Sequence, residues 1–147
     1  MQAHAAAAIF ACVLVSGCQG GGPSLTSDEA PKAISMRAET AIAGDMASRF
    51  VEAMGSEKPR SVSLSPAAGQ SAEALENALR LFGYAVVGKD EQALTKTPAV
   101  QVTYGATAFE DVVLVHLSTP ALTLTRAYRT SAEGAQPATP LAVSRHR

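Results

Sequence analysis

The chain has 147 residues, with 12 basic against 13 acidic side chains and a net charge of -1. That length allows one ordinary domain, which excludes large enzymes and multi-span proteins; near-neutrality argues against gripping nucleic acid by counterion release, and no run of 18 apolar residues offers an ordinary transmembrane helix. Hydrophobic residues make up 47%, but 29 of them are alanine and only 31 residues are Leu, Ile, Val or Phe, a thin core that suits a small domain with tails.

No formally charged side chain precedes Asp28. Within that start, Ala5 to Val15 is an apolar run of the length of a secretory signal core and too short to span a bilayer. The usual basic residue ahead of it is missing, and only the amino terminus and His4 carry positive charge there. Val15, Ser16, Gly17 and Cys18 follow, and this order resembles the lipobox of bacterial lipoproteins. Ser16 and Gly17 are small, as a narrow peptidase site beside a lipidated thiol demands. The resemblance implies a signal peptide over 1–17 and a mature chain lipidated at Cys18. Cys12 would be discarded and Cys18 would carry lipid, so no disulfide and no cysteine ligand would remain. Several acyl chains on one terminus anchor durably where one is marginal. Among Gram-negative lipoproteins the absence of aspartate after the cysteine, here Gln19, favours the outer membrane.

Residues 18–33 read as a lipidated flexible tether, because Gln19 to Leu25 is rich in Gly, Pro and Ser. Ser27, Asp28 and Glu29 suggest a short helix near Ala30 to Ile34. A globular periplasmic domain is expected over 34–130. Its first strong signal is a helix over Ala38 to Met54, where Ile42, Met46, Phe50 and Met54 recur every four residues with Val51 beside them. Glu39, Asp45, Arg49 and Glu52 fall at other angles, and Gly55 supplies a left-handed cap. The stripe reads as core packing, with a methionine-lined partner face as the sharper alternative.

Ser61 to Ser65 alternates around Val62 and Leu64, predicting a strand with one buried face. Pro66, with Ser65 as cap, opens a second helix to about Phe82, with Leu75, Ala78, Leu79 and Phe82 on one side. Gly83 stops it and Tyr84 to Val87 makes a strand, so this stretch reads as strand, helix, strand with a crossover connection. Gly88 to Pro98 reads as an exposed loop. Val100 to Tyr104 is a half-buried strand, followed by a turn over Gly105 to Glu110. Asp111 to Leu117 is apolar on both faces, which predicts a central strand. Thr119 and Pro120 break the chain before a strand over Ala121 to Arg129. Residues 131–147, with Gly134, Pro137 and Pro140, read as a mostly irregular tail with one short extended stretch at Leu141 to Val143. The fold class is therefore α/β of the α+β kind: a small single domain, two helices packed on a mixed, mainly antiparallel sheet of about five strands, with a strand-helix-strand unit followed by a meander.

Signals of catalysis are weak. His116 reads as a hydrogen-bonded structural imidazole and His146 as a solvated side chain. There is no HExxH, cysteine pair or dense carboxylate cluster, no GxSxG elbow, and no phosphate loop at Gly20 to Gly22. Ser65, Asp111 and His116 could be assembled into a trio only by geometry the sequence does not supply. Seven aromatics and no tryptophan give no stacking platform. Neither enzyme activity, cofactor, metal, nucleic acid nor small-molecule substrate is expected. Arg126 and Tyr128 are the candidate partner contact, since they continue the apolar line of Leu122 and Leu124; the plainer reading is long side chains capping the core at a sheet edge.

The succession of a lipobox, a helix, ALENALRLFGYAVV at Ala74 to Val87, and LTLTRAYR at Leu122 to Arg129 with a Pro-containing tail resembles the TrbH family of conjugal transfer lipoproteins. Leu79, Gly83, Tyr84 and Val86, with Leu124, Arg126 and Tyr128, carry most of the likeness. The uncharged start and the final Ser-Arg-His-Arg depart from the family pattern. The resemblance implies an outer-membrane-anchored structural or assembly component of a conjugative type IV secretion apparatus, bound to the membrane by its lipid and to other secretion-channel proteins by its domain. The competing reading is a periplasmic ligand-binding or cell-wall-acting lipoprotein, which requires a deep pocket near His116, Asp111 or Tyr104.

Overall fold

A computed structural model describes residues 33–56, 59, 61–65, 70–88 and 98–147. Cys18, the lipobox, the tether up to residue 32, Pro66 and most of the loop expected over Gly88 to Pro98 lie outside them, and of the short helix suggested near Ala30 only Ala33 and Ile34 are described, neither of them helical.

Helix α1 spans Met36–Met54, two residues longer at its start than its apolar stripe predicts. Ser35 is the cause: its backbone is extended and its hydroxyl accepts the Ala38 N–H at 3.2 Å, satisfying one of the donors a helix start leaves open. Ile42, Met46 and Phe50 are fully or almost fully buried, with Ala38, Ala43 and Ala47 beside them. Core packing thus accounts for the stripe, and the alanines bring the helix backbone close to its neighbours. Gly55 ends α1 at φ 56° and ψ -129°. This differs from the expected left-handed α cap, yet it is a positive-φ conformation that glycine alone enters without strain.

Strand β1 (Ser61–Leu64), helix α2 (Gln70–Leu81) and strand β2 (Ala85–Val86) form the predicted crossover, with β1 and β2 parallel and Val62 aligned with Val86. Leu75, Ala78 and Leu79 are buried, but Phe82, expected on the same side, follows the last residue of α2 and is 47% exposed. β1 is more enclosed than expected. It lies between β2 and β3 (Val100–Phe109), and Ser61 and Ser63 are buried along with Val62.

The antiparallel meander is larger than its sequence pattern. Strand β3 runs straight through Gly105, where a turn is expected, and pairs with β4 (Val112–Ser118) from Thr103–Ser118 to Phe109–Val112. Gly105 faces His116, whose ring lies where a Cβ would stand. The glycine therefore marks a close approach inside a strand and not a chain reversal, and the turn falls at Glu110 and Asp111. Strand β5 (Leu122–Ser131) follows Thr119, whose hydroxyl accepts the Leu122 N–H at 3.0 Å and closes the bend.

The tail expected to be mostly irregular contains two further strands. β6 (Gly134–Pro137) pairs with the end of β5 and β7 (Ala142–Arg145) with its beginning. Together they line the free side of β5, interrupted where Ala127 N–H reaches the Thr139 hydroxyl and Ala138 N–H reaches the Ala127 carbonyl. Among the described residues the sheet thus has seven strands in the order β2-β1-β3-β4-β5-β6, with β7 also on β5. Its edges are short strands of two and four residues, which limits edge-to-edge pairing. Both helices cover one face, and a single core of Phe50, Leu75, Leu79, Val62, Val115, Leu124 and their neighbours fills the space between.

Candidate interaction site

Leu122, Leu124, Arg126 and Tyr128 share the face of β5 that looks toward α1, as alternation predicts. The structure brings Arg126 and Tyr128 together on one acceptor. Asp45 of α1 receives the Tyr128 hydroxyl at 2.7 Å and an Arg126 guanidinium N–H at 2.9 Å, both on Oδ2. Arg126 Nε donates to the Thr139 carbonyl at 3.0 Å, which ties the break between β6 and β7 into the same cluster. On its other oxygen Asp45 meets Arg49 at 3.5 Å, and Arg49 donates to Glu52 at 2.9 Å. Tyr128 is 1% exposed, so its ring belongs to the core and its hydroxyl to a bond between helix and sheet. The Arg126 side chain is 15% exposed, with its guanidinium 6.0 Å from the Tyr128 ring centre. The geometry makes the pair a brace between α1 and β5.

Asp45 was not singled out by sequence. At about 100° per residue it sits about 60° from Ile42 around the helix, on the border of the apolar stripe rather than opposite it. The signal that points to it is the need of a half-buried arginine and a buried phenol for one acidic partner.

All three tyrosines are shifted upward. Burial raises Tyr128, helped by its bond to Asp45 and the carboxylate charge; burial and then Glu39 raise Tyr104; burial raises Tyr84. The folded state thus favours the neutral phenol. Its contribution is present below the ordinary phenol value of about 10 and is lost as pH climbs above it, where the unfolded chain ionises first. In an alkaline titration, tyrosinate absorbance is expected to rise together with loss of helical circular dichroism above about pH 10. Tyrosinate forming at the ordinary value with the helices intact would contradict this account.

The other candidates are scattered. His116 is exposed over Gly105 on the helix-free side of the sheet, and not a structural imidazole in a buried strand. The strand is central in order, but Val113, Val115 and Leu117 alone are buried, while Leu114 is 42% exposed. Tyr104 lies in the core. Ser65 bonds to Val102 near the start of β3, whereas Asp111 stands at the opposite end, roughly 20 Å along the strand, so no Ser-Asp-His trio forms. Asp111 faces Arg129 at 3.5 Å, both exposed. His146 Nε2 meets the Thr123 hydroxyl at 2.9 Å, which in turn meets Ser118 at 2.9 Å.

A groove of about 560 Å³ opens where α1 meets the β5–β6 hairpin, lined among others by Arg37, Asp111, Arg129 and Glu133. Opposite charges alternate around it and partly neutralise one another. Of the three residues named for a ligand-binding reading, Asp111 lines this groove, whereas His116 and Tyr104 do not. Among the described residues no group of three or more His, Cys, Asp or Glu is placed to hold a metal ion, and no helix is long and apolar enough to cross a membrane.

Comparison with known proteins matches residues 20–147 to the family described as conjugal transfer protein TrbH. A probable conjugal transfer protein TrbH of Sinorhizobium fredii is 38% identical over 132 residues, covering 88% of this chain and 89% of that protein. No solved structure matches. With the α+β domain and its Arg126–Tyr128 strand inside the matched region, the chain belongs to the TrbH conjugal transfer protein family.

Proposed function

We propose that this protein is a lipid-anchored, non-enzymatic assembly component of a conjugative type IV secretion apparatus. Acyl chains on Cys18 hold it at the outer membrane, residues 18–33 act as the tether, and the domain faces the periplasm and binds other channel proteins. The observation that carries the reading is the family match, which begins at residue 20 and includes the whole folded body. The lipobox-like Val15 to Cys18 stands just ahead of that match. Durable anchoring by acyl chains is physically sufficient, so the domain needs no membrane-spanning element of its own. The assembly role agrees with a domain whose most prominent polar cluster binds its own helix to its own sheet.

Removing the gene from a self-transmissible plasmid is expected to depress transfer between cells, and the full chain supplied in trans to restore it. A tagged full chain is expected to retain other secretion-channel proteins through purification. Undiminished transfer from the deletion, measured as transconjugants per donor, would defeat the proposal.

A further inference from the structure

Strand β6 ends the sheet on the side away from β1, and all its residues, Gly134 to Pro137, line the groove beside α1. Its register leaves backbone groups open there. Thr130 N–H bonds the Asp111 carbonyl, so Thr130 directs its backbone groups toward β4. In an antiparallel ladder the residue opposite such a position, on the next strand, points its own groups outward. Ala135, paired with Thr130, therefore turns its N–H and carbonyl away from β5, and Pro137 turns its carbonyl the same way. Pro137 stands where a missing N–H removes no ladder bond. Among the described residues neither Ala135 group finds a backbone partner beyond β6.

Helix α1 brings a cation to the same place. Its start is held at the hairpin tip by the Ser35 hydroxyl, which donates to the Ser131 carbonyl at 3.2 Å, and its middle by Asp45 on Tyr128. Arg37, just inside the helix, so lies near the level of Ala135 and lines the groove with it. Arg49, Arg80, Arg126 and Arg129 each pair with a carboxylate, and Arg145 donates to the Ala53 carbonyl. Among the described residues Arg37 has neither kind of partner, and Glu133 at the hairpin tip has no basic one.

We infer that the groove takes an extended segment of a partner protein, added to β6 as a further strand, with an acidic side chain against Arg37 and a basic one toward Glu133. Arg37 and Arg129 balance Asp111 and Glu133 around the groove, so it attracts neither a polyanion nor a polycation. A segment of mixed charge is what complements it. The outward backbone groups are few, which keeps the edge from pairing indiscriminately and leaves the choice of partner to the side chains. The source of the segment rests on the assembly role proposed above, while the site itself requires only the hairpin and α1.

Fluorescence anisotropy of a labelled probe, titrated with the full chain purified in detergent, tests it. The probe is a capped synthetic peptide of alternating threonine and valine with one aspartate and one lysine on the same side of the strand. It is expected to bind saturably. Ala135→Pro removes the outward N–H without breaking a bond to β5, and is expected to weaken binding about tenfold or more while leaving the thermal melting of the chain nearly unchanged. A probe with every backbone nitrogen methylated is expected to lose binding to the same degree, which keeps the test decisive should the proline variant fail to fold. Arg37→Glu is expected to weaken binding about tenfold, and a probe with lysine in place of aspartate to regain it. Absence of saturable binding, indifference to backbone methylation or to the charge reversal, or binding that emerges only after deletion of residues 19–32 would overturn the inference, the last by giving the groove to this chain's own preceding segment. None of these outcomes involves plasmid transfer, so a failed site leaves the assembly role standing, and undiminished transfer from the gene deletion leaves the site standing.

Discussion

Asp45→Ala is expected to lower the unfolding free energy by about 2–3 kcal/mol, a fall in Tm of roughly 10–20 °C for a domain of this size. The substitution removes the acceptor shared by Arg126 and Tyr128. It leaves a phenol hydroxyl in the core without its partner and a guanidinium, 15% exposed, without its counter-charge. Because the Asp45 side chain is itself 25% exposed, water relieves part of the penalty, and the effect stays below that of a fully buried pair. Asp45→Asn keeps an acceptor for Tyr128 but loses the charge, and is expected to fall between wild type and alanine. Tyr128→Phe deletes one bond while keeping the ring, at a cost of about 1 kcal/mol. Equilibrium denaturation of Asp45→Ala, Arg126→Ala and the double variant isolates the coupling, since the second substitution should cost much less once the first is made. Additive losses, or a loss below about 0.5 kcal/mol for Asp45→Ala, would remove the brace from the account of stability. Arg126→Ala binding less well to channel partners while folding normally would instead return that residue to the contact role read from sequence.

Cys18→Ser is expected to abolish acylation and shift the protein from carbonate-washed membranes to the soluble fraction. Plasmid transfer should fall toward the level of the gene deletion. The size of the effect follows from the physics of anchoring: a single acyl chain holds a protein only reversibly, whereas two or more hold it durably, at about 0.8 kcal/mol per buried methylene. With the thiol gone there is no graded loss, because no acyl chain is attached. The carbonate wash matters, since it strips proteins retained only by a partner. A serine variant that stays with washed membranes, or that still incorporates labelled palmitate, would remove lipidation from the proposed function while leaving membership of the family intact.

What the sequence determined by itself is what short-range periodicity encodes. The stripe of Ile42, Met46 and Phe50 specifies α1, Leu75 and Leu79 specify α2, alternation specifies the strands around Val102 and Leu124, and a short apolar run the strand around Val115, because helices and strands repeat every few residues whatever surrounds them. The order of these elements sufficed for the α+β architecture and for the family likeness. It could not reveal features that exist only between distant segments. Residues 134–137 and 142–145 are short, rich in small residues and mostly exposed, so nothing local marks them as strands; the unpaired edge of β5 makes them so by taking their backbone hydrogen bonds. Gly105 looks like a turn until His116 is seen to occupy the space above it. Likewise Val112 and Leu114 look buried until both helices prove to lie on the opposite face. Asp45 acquires its role only when folding brings it to residues 81 and 83 positions away. Only the tertiary structure decides such matters, because a desolvated charge or an uncovered sheet face is defined by what packs against it and not by its neighbours in sequence.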